Sequence, residues 1–530
     1  MGVLDILIRN GLVIDGSGAP RCRRDVAVEG DRIVEVGRLE GAEAETVIDA
    51  AGCVVSPGFV DMHSHADFTL PICPTADSLV RQGITTAVVG QCGISPAPPA
   101  AGIRELAIAA LGSGEVPVPW DEWSSFGSYL DYLRRIGTSV NVVPLVGQGA
   151  VRAAAMGFSA DPPSEAQMAQ MQAGVVKAMD EGAVGISTGL IYPPGSYAST
   201  EELIAITRPV GERDGFYFSH VRGEGDTLLE AVAEAIRIGR EAGAAVQISH
   251  FKAAGRDNWD KASQALCLID QARAEGLDVT ADMYSYLAGS TYLSATLPEW
   301  AQEGGKAAIV RRLDDPEIRQ KMAVDMRSTG FFRIIEWEQV LISSSPKNRD
   351  YEGCYVAGLA VQAGKSPYDW VFDALLETGL DMSVVFFMMS EDNCQLELRH
   401  PAMMIGTDGF GMATEGPLSR GVPHPRNYGT YPRVLGRYVR EQGVVSLEEA
   451  IWKMSGSPAQ KLRWPDRGLV KKGYKADLVV FDPETVGDRA TYEAPHQYPV
   501  GISYVIVNGK PVVCDNRHTQ VRPGSILGRG

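Results

Sequence analysis

The chain of 530 residues exceeds the roughly 250–300 at which one hydrophobic core stops growing, so an expanded domain or several domains are expected. With 45% hydrophobic and 22% charged residues it has an ordinary globular composition, which excludes the disordered and fibrous classes. Its 66 acidic against 49 basic residues, a formal net charge of −17, argue against nucleic acid and anionic membrane as partners. The opening residues lack a signal-peptide pattern and the chain has no run of about 18 apolar residues, so a cytoplasmic location is expected.

In chain order, short strands are expected at 6–14, 25–28 and 33–36, separated by turn clusters such as Asp15-Gly16-Ser17-Gly18. A matching set closes the chain at 476–481 and 502–507, where Asn508-Gly509 is a strong hairpin turn. Residues 1–57 and 465–530 are therefore expected to form one small β domain, a β-sandwich or β-barrel built from both termini. Between them, apolar runs at 84–89, 141–145, 184–187, 216–219, 245–249, 277–282 and 403–405 alternate with longer amphipathic stretches. That alternation implies parallel strands, and seven or eight units suit an α/β fold of the (β/α)8 TIM-barrel type over 58–464. The rhythm breaks at 291–350, where a charged helix near 311–327 and a strand pattern at 332–341 suggest an insertion or lid.

Eight cysteines are scattered without paired spacing, so disulfides are not indicated. The chemistry concentrates elsewhere. After 58–62 comes His63-Ser64-His65, and on an extended strand residues i and i+2 face the same side. Cys92, His220, His250 and Asp408 each follow an apolar run, which places them at the carboxyl ends of predicted strands, where a barrel builds its active face. Only eight histidines exist in the chain, and four of them fall at such ends. Singly, each could be a core histidine or a buried cysteine; together they form a ligand set. Imidazole and thiolate favour zinc, whereas calcium or magnesium would want mostly oxygen.

With these residues in place, the chain resembles the N-acyl-D-amino-acid deacylase (D-aminoacylase) family of the amidohydrolase superfamily, nearly end to end. The resemblance rests on 57–65 (PGFVDMHSH), 90–93 (GQCG), 219–222 (SHVR), 249–252 (SHFK), 405–409 (IGTDG), 424–426 (HPR), 458–459 (PA) and 473–478 (GYKADL). It implies one tight Zn2+ held by Cys92, His220 and His250, an adjacent weaker metal site lined by His63 and His65, and Asp408 as the catalytic carboxylate. Many relatives in the superfamily bridge two metals with a carboxylated lysine on the fourth barrel strand. Here 182–189 contains no lysine, and Cys92 supplies the bridging type of ligand, which argues against the cyclic-amide branch.

The resemblance further implies that Lys252 and Arg426 hold the α-carboxylate of a small-molecule N-acyl-D-amino acid, with Tyr192, Tyr284 and Ser290 as hydroxyl donors. A surface salt bridge, or ordinary packing for the tyrosines, is the structural alternative. Relatives specific for acidic D-amino acids carry an arginine in a loop matched here by 289–297, which has none, so an apolar side chain is expected. Two rival readings stand beside this one. The first is an amidohydrolase acting on another amide, such as a D-dipeptide, an N-carbamoyl compound or an amide-linked metabolite. The second is an inactive barrel with a structural role. Oligomeric state is left open by the sequence.

Overall fold

The structure, a computed structural model, describes residues 3–111, 118–328 and 331–529. Its centre is an eight-stranded parallel barrel, with strands β1 (Phe59–Asp61), β2 (Ile84–Val89), β3 (Asn141–Gly147), β4 (Gly185–Gly189), β5 (Phe216–His220), β6 (Ala245–Ile248), β7 (Val279–Met283) and β8 (Met403–Ile405) adjacent in that order. Side chains alternate between the barrel interior and the helix layer, so both faces of every strand are buried. Phe216 and Phe218 pack into the barrel interior with Val88, Val143 and Leu145. Their neighbour Tyr217 faces outward with Val89, Val142 and Ile186, into the layer covered by helices. Those helices are amphipathic: in Leu228–Ala242 the buried positions include Leu228, Ala231, Val232, Ala235, Ile238, Gly239 and Ala242, one stripe at a spacing of three and four.

The seam between β1 and β8 sets His63 beside Asp408. The Met62 amide donates to the Ile405 carbonyl at 3.2 Å, and the Asp408 amide to the His63 carbonyl at 2.7 Å. Gly406 permits this approach, because a Cβ there would lie 2.7 Å from the Cβ of His63. Buried Asp61 accepts from the Thr407 amide (2.7 Å) and the Thr407 hydroxyl (2.6 Å), and the Tyr431 hydroxyl lies 2.8 and 2.9 Å from the carbonyls of Val60 and Ile405.

The termini meet in two further sheets. One has four strands in the order Arg32–Gly37, Asp25–Glu29, Leu4–Arg9 and Ala44–Asp49. The other has seven and joins Val54–Pro57 to Leu478–Phe481, Ile502–Val507 and Lys510–Cys514. Leu478 and Val480 face the core between the two sheets, with Ile6, Ile8 and Val28, whereas Val479 and Phe481 face the barrel side. A sheet covered on both faces reads as a continuous apolar run rather than an alternating one.

Between β7 and β8 the chain makes a long excursion with its own core, around Trp337, Ile342, Phe372 and Val384. It carries a three-stranded antiparallel sheet in the order Ala288–Tyr292, Ser383–Phe387, Val340–Ser344. The strand expected at 332–341 lies later than its sequence pattern suggested: Phe331–Ile334 and Trp337–Gln339 are 3-10 turns, and pairing begins only at Val340. Among the described residues no helix is long and apolar enough to cross a membrane.

Replacing Thr407 by valine keeps the side-chain shape but deprives buried Asp61 of a donor. Thr407→Val is expected to lower the unfolding free energy by about 1–3 kcal/mol, measured by denaturant titration.

Candidate metal and catalytic site

The carboxyl ends of the barrel strands open into a cavity of about 110 Å³, roofed by the excursion sheet through Ser290, Tyr292, Ser344 and Phe386. Cys92, His65, His220, His250, Asp408, Lys252, Arg426, Tyr192, Tyr284 and Ser290 all line it; His63, fully buried, lies beneath. The Cys92 sulfur lies 3.3 Å from His63 Nε2, 3.4 Å from His250 Nε2 and 3.7 Å from His220 Nδ1. Donor atoms of His63, Cys92, His250 and Asp408 lie within 4.8 Å of one another, and those of His220, Glu224 and His250 form a second such group. His65 joins through Asp408, whose Oδ1 is 3.2 Å from His65 Nε2 and 3.5 Å from His63 Nε2.

Local backbone geometry aims these side chains. Cys92, His250 and Asp408 have φ of 54°, 34° and 49°, a region that side-chain-bearing residues seldom adopt and that clusters at functional sites. Gly90, with φ 80°, opens the turn before Cys92, and a Cβ there would meet the Leu145 carbonyl oxygen at 2.1 Å. The Arg222 guanidinium binds Glu234 and donates to the carbonyls of Ser196 and Ala198, tying the loop after Tyr192 to the strand end that bears His220.

Burial pulls the His220 and His250 imidazoles well below their ordinary pKa, so both rings are neutral, the form that binds a metal. Burial also pushes the Cys92 thiol well above its usual value, with Asp408 and Glu224 adding to the effect. At Asp408 burial opposes the charge, but Arg426, donating from Nη1 to Oδ2 at 2.6 Å, together with the nearby imidazoles, holds the carboxyl well below the usual carboxylate range. At Lys252 burial is again opposed, here by Glu224, and the net effect keeps the ammonium charged. Burial raises the Tyr284 phenol to about 12, which leaves it a donor.

Both cations therefore already have partners. Lys252 Nζ lies 2.5 Å from Glu224 Oε1, and Arg426 also approaches the Ser290 carbonyl at 3.3 Å. The Ser290 hydroxyl donates to the Val384 carbonyl at 2.9 Å. Three acidic residues escaped the sequence reading. Glu224 contacts His250 and Lys252. Asp282 accepts the His250 amide at 2.7 Å and faces His63 Nδ1 at 3.4 Å. Asp61, whose carboxyl burial raises to about 7, clamps the seam. Asp282 ends a run that the sequence marks as a strand, so the rule that found Asp408 reaches it too. Glu224 follows His220 by four residues on a loop, with no such signal.

The model of the amidohydrolase family matches residues 46–513. The chain belongs to that family. Within it the chain falls in the D-aminoacylase group: it is 37% identical to a D-aminoacylase of Alcaligenes xylosoxydans xylosoxydans, over 99% of this chain and 98% of that one. A solved D-aminoacylase with a binuclear metal centre superposes with a TM-score of 0.83 at 37% identity, covering 99% of this chain and all of the other. The N-acyl-D-glutamate deacylase of Bordetella bronchiseptica gives the same TM-score at 35% identity over the full length of both chains; its structure holds zinc and a phosphonate inhibitor that mimics the tetrahedral intermediate. This amidohydrolase is an enzyme of amide-bond hydrolysis.

Cys92→Ala is expected to remove most bound metal from the purified amidohydrolase, by elemental analysis. Cys394→Ala, at a buried cysteine bonded to Tyr438 outside the cavity, is expected to leave the metal content unchanged.

Proposed function

We propose that the protein hydrolyses N-acyl-D-amino acids to a carboxylate and a free D-amino acid, using zinc held tightly by Cys92, His220 and His250. His63 and His65 then line an adjacent, weaker site. The observation that carries this reading is one thiol surrounded by imidazoles in a cavity that also holds an ionised carboxylate and two cations. The donor spacing fits the ion: zinc–sulfur and zinc–nitrogen bonds of about 2.3 and 2.05 Å at tetrahedral angles put sulfur and nitrogen about 3.6 Å apart. The sulfur lies 3.7 Å from the His220 nitrogen and 3.4 Å from the His250 nitrogen that would share the ion with it. A buried thiol among neutral rings gives up its proton readily only to a strong local positive charge. Bound there, the ion would supply Lewis acidity toward the amide carbonyl and toward water.

The remaining work falls to the chain's own groups. Asp408, kept ionised by Arg426, can take a proton from water and return it to the departing amine nitrogen. The same ion pair that stabilises the carboxylate makes protonated Asp408 a stronger acid, which suits the second transfer. Lys252 and Arg426 would hold the α-carboxylate, Arg426 by its planar fork. Tyr192 and Tyr284 supply hydroxyl donors; the Tyr284 hydroxyl donates to the Met389 sulfur at 3.7 Å, a weak acceptor that a carboxylate can replace. Ser290 would contribute by reorienting its hydroxyl from Val384. Carbonyl, carboxylate and side chain then occupy three fixed places, and an L substrate cannot fill them in the same order.

For the side chain, an apolar group suits a cavity lined in part by Phe68, Ile94, Leu111, Ile191, Phe386 and Met388. Arg420 also lines the cavity and favours an acidic side chain as the second reading. N-acetyl-D-methionine is expected to be hydrolysed and its L enantiomer not, with activity lost in Cys92→Ala. A higher kcat/KM on N-acetyl-D-glutamate than on N-acetyl-D-methionine would overturn the apolar preference. Asp408→Asn is expected to lower kcat about 10²–10⁴-fold, measured against metal content in the same samples.

A further inference from the structure

Buried Glu224, which takes no part in the proposed hydrolysis, stands where two demands on His250 meet. The His250 ring presents Nε2 toward the Cys92 sulfur at 3.4 Å. Its other nitrogen, Nδ1, lies 3.0 Å from Glu224 Oε1 and 2.8 Å from Lys252 Nζ. An imidazole that binds a metal through one nitrogen is neutral and carries its single proton on the other. If that proton sits on Nε2, Nδ1 can accept from the Lys252 ammonium, and Nε2 has no lone pair for a cation. If it sits on Nδ1, Nε2 is free to bind a cation, Nδ1–H needs an acceptor, and the ammonium can no longer donate to that nitrogen. Of these two neighbours it is Glu224, an acceptor and not a donor when ionised, that serves the second arrangement.

We propose that Glu224 is a positioning residue that fixes the metal-binding tautomer of His250 by accepting its Nδ1–H, and so turns the Lys252 ammonium from His250 toward the cavity. Glu224 Oε1 also lies 2.5 Å from Lys252 Nζ, so one carboxylate holds both groups while they trade partners. The consequence is a linkage: a cation bound at His250 releases a Lys252 donor for the substrate's carboxylate, and a carboxylate bound to Lys252 in turn favours the cation. This rests on the proposed zinc site and not on which amide is cleaved.

The test reads zinc affinity, by competition with a chromophoric chelator, in a Lys252→Met background. That background removes the ammonium, so Glu224 can be changed without leaving a buried cation unpaired. Glu224→Leu/Lys252→Met is expected to bind zinc about ten- to hundredfold more weakly than Lys252→Met alone, the usual cost of losing a hydrogen-bond partner behind a metal-binding histidine. Glu224→Gln/Lys252→Met, whose amide oxygen still accepts, is expected to stay close to the background. Equal affinity in all three overturns the proposal, because Glu224 would then serve only to neutralise Lys252. Should the leucine variant not fold, nitrogen-15 NMR of the zinc-loaded wild-type protein decides. The histidine resonance that moves in Glu224→Gln is expected to report a protonated Nδ1, and a bare Nδ1 overturns the proposal. Failure to hydrolyse any N-acyl-D-amino acid would overturn the substrate reading while leaving these affinities where they are.

Discussion

The Cys92 sulfur is approached by imidazoles that arrive from three other strand ends, those of β1, β5 and β6, and the rest of the molecule accommodates this contact. A parallel barrel brings the strand ends together. It does not by itself point four side chains at one place. That is done by the left-handed residues Cys92, His250 and Asp408, and by a β1–β8 seam tight enough to set His63 against Asp408. The seam is held in turn by Asp61 and Thr407, which lie beneath the cavity and bind the backbone of His63. Backbone strain at the mouth is thus set against hydrogen bonds made just below it.

The electrostatics of the cavity derive from burial. Lys252 and Arg426 are cations out of water, and each faces a carboxylate, Glu224 and Asp408 respectively. Removing one member of such a pair leaves the other buried without compensation, which is more costly than losing the contact alone. The four groups are therefore best regarded as two coupled pairs. One, Arg426–Asp408, adjusts the acidity of a proton carrier. The other, Lys252–Glu224, stands behind His250. An incoming substrate carboxylate adds a third anion, to be shared between the two cations.

Much of this was legible in the sequence because the barrel strands are covered on both faces. The run 403–405 is apolar along its whole length, 84–89 is broken only by Thr85 and Thr86, and the turn after each exposes whatever chemistry comes next. The rule that polar residues at the ends of such runs face the barrel mouth reached Cys92, His220, His250 and Asp408, and applied consistently it reaches Asp282. Glu224 was not legible, since loop conformation, not periodicity, brings it back to His250. Nor were the pairings of Lys252 and Arg426, whose partners lie 28 and 18 residues away and are brought to them by loop conformation. The excursion sheet was misplaced for a different reason: residues 331–339 carry a strand-like composition but form turns, while the paired strand ends in Ser343 and Ser344, which have weak strand preference.

The central claim is that the Cys92 thiolate, with histidine imidazoles, holds the ion on which amide hydrolysis depends. X-ray absorption at the zinc edge of the metal-loaded protein tests it most directly. The account predicts a sulfur scatterer at about 2.3 Å together with nitrogens at about 2.0–2.1 Å. A first shell of nitrogen and oxygen alone, with no sulfur, would contradict it.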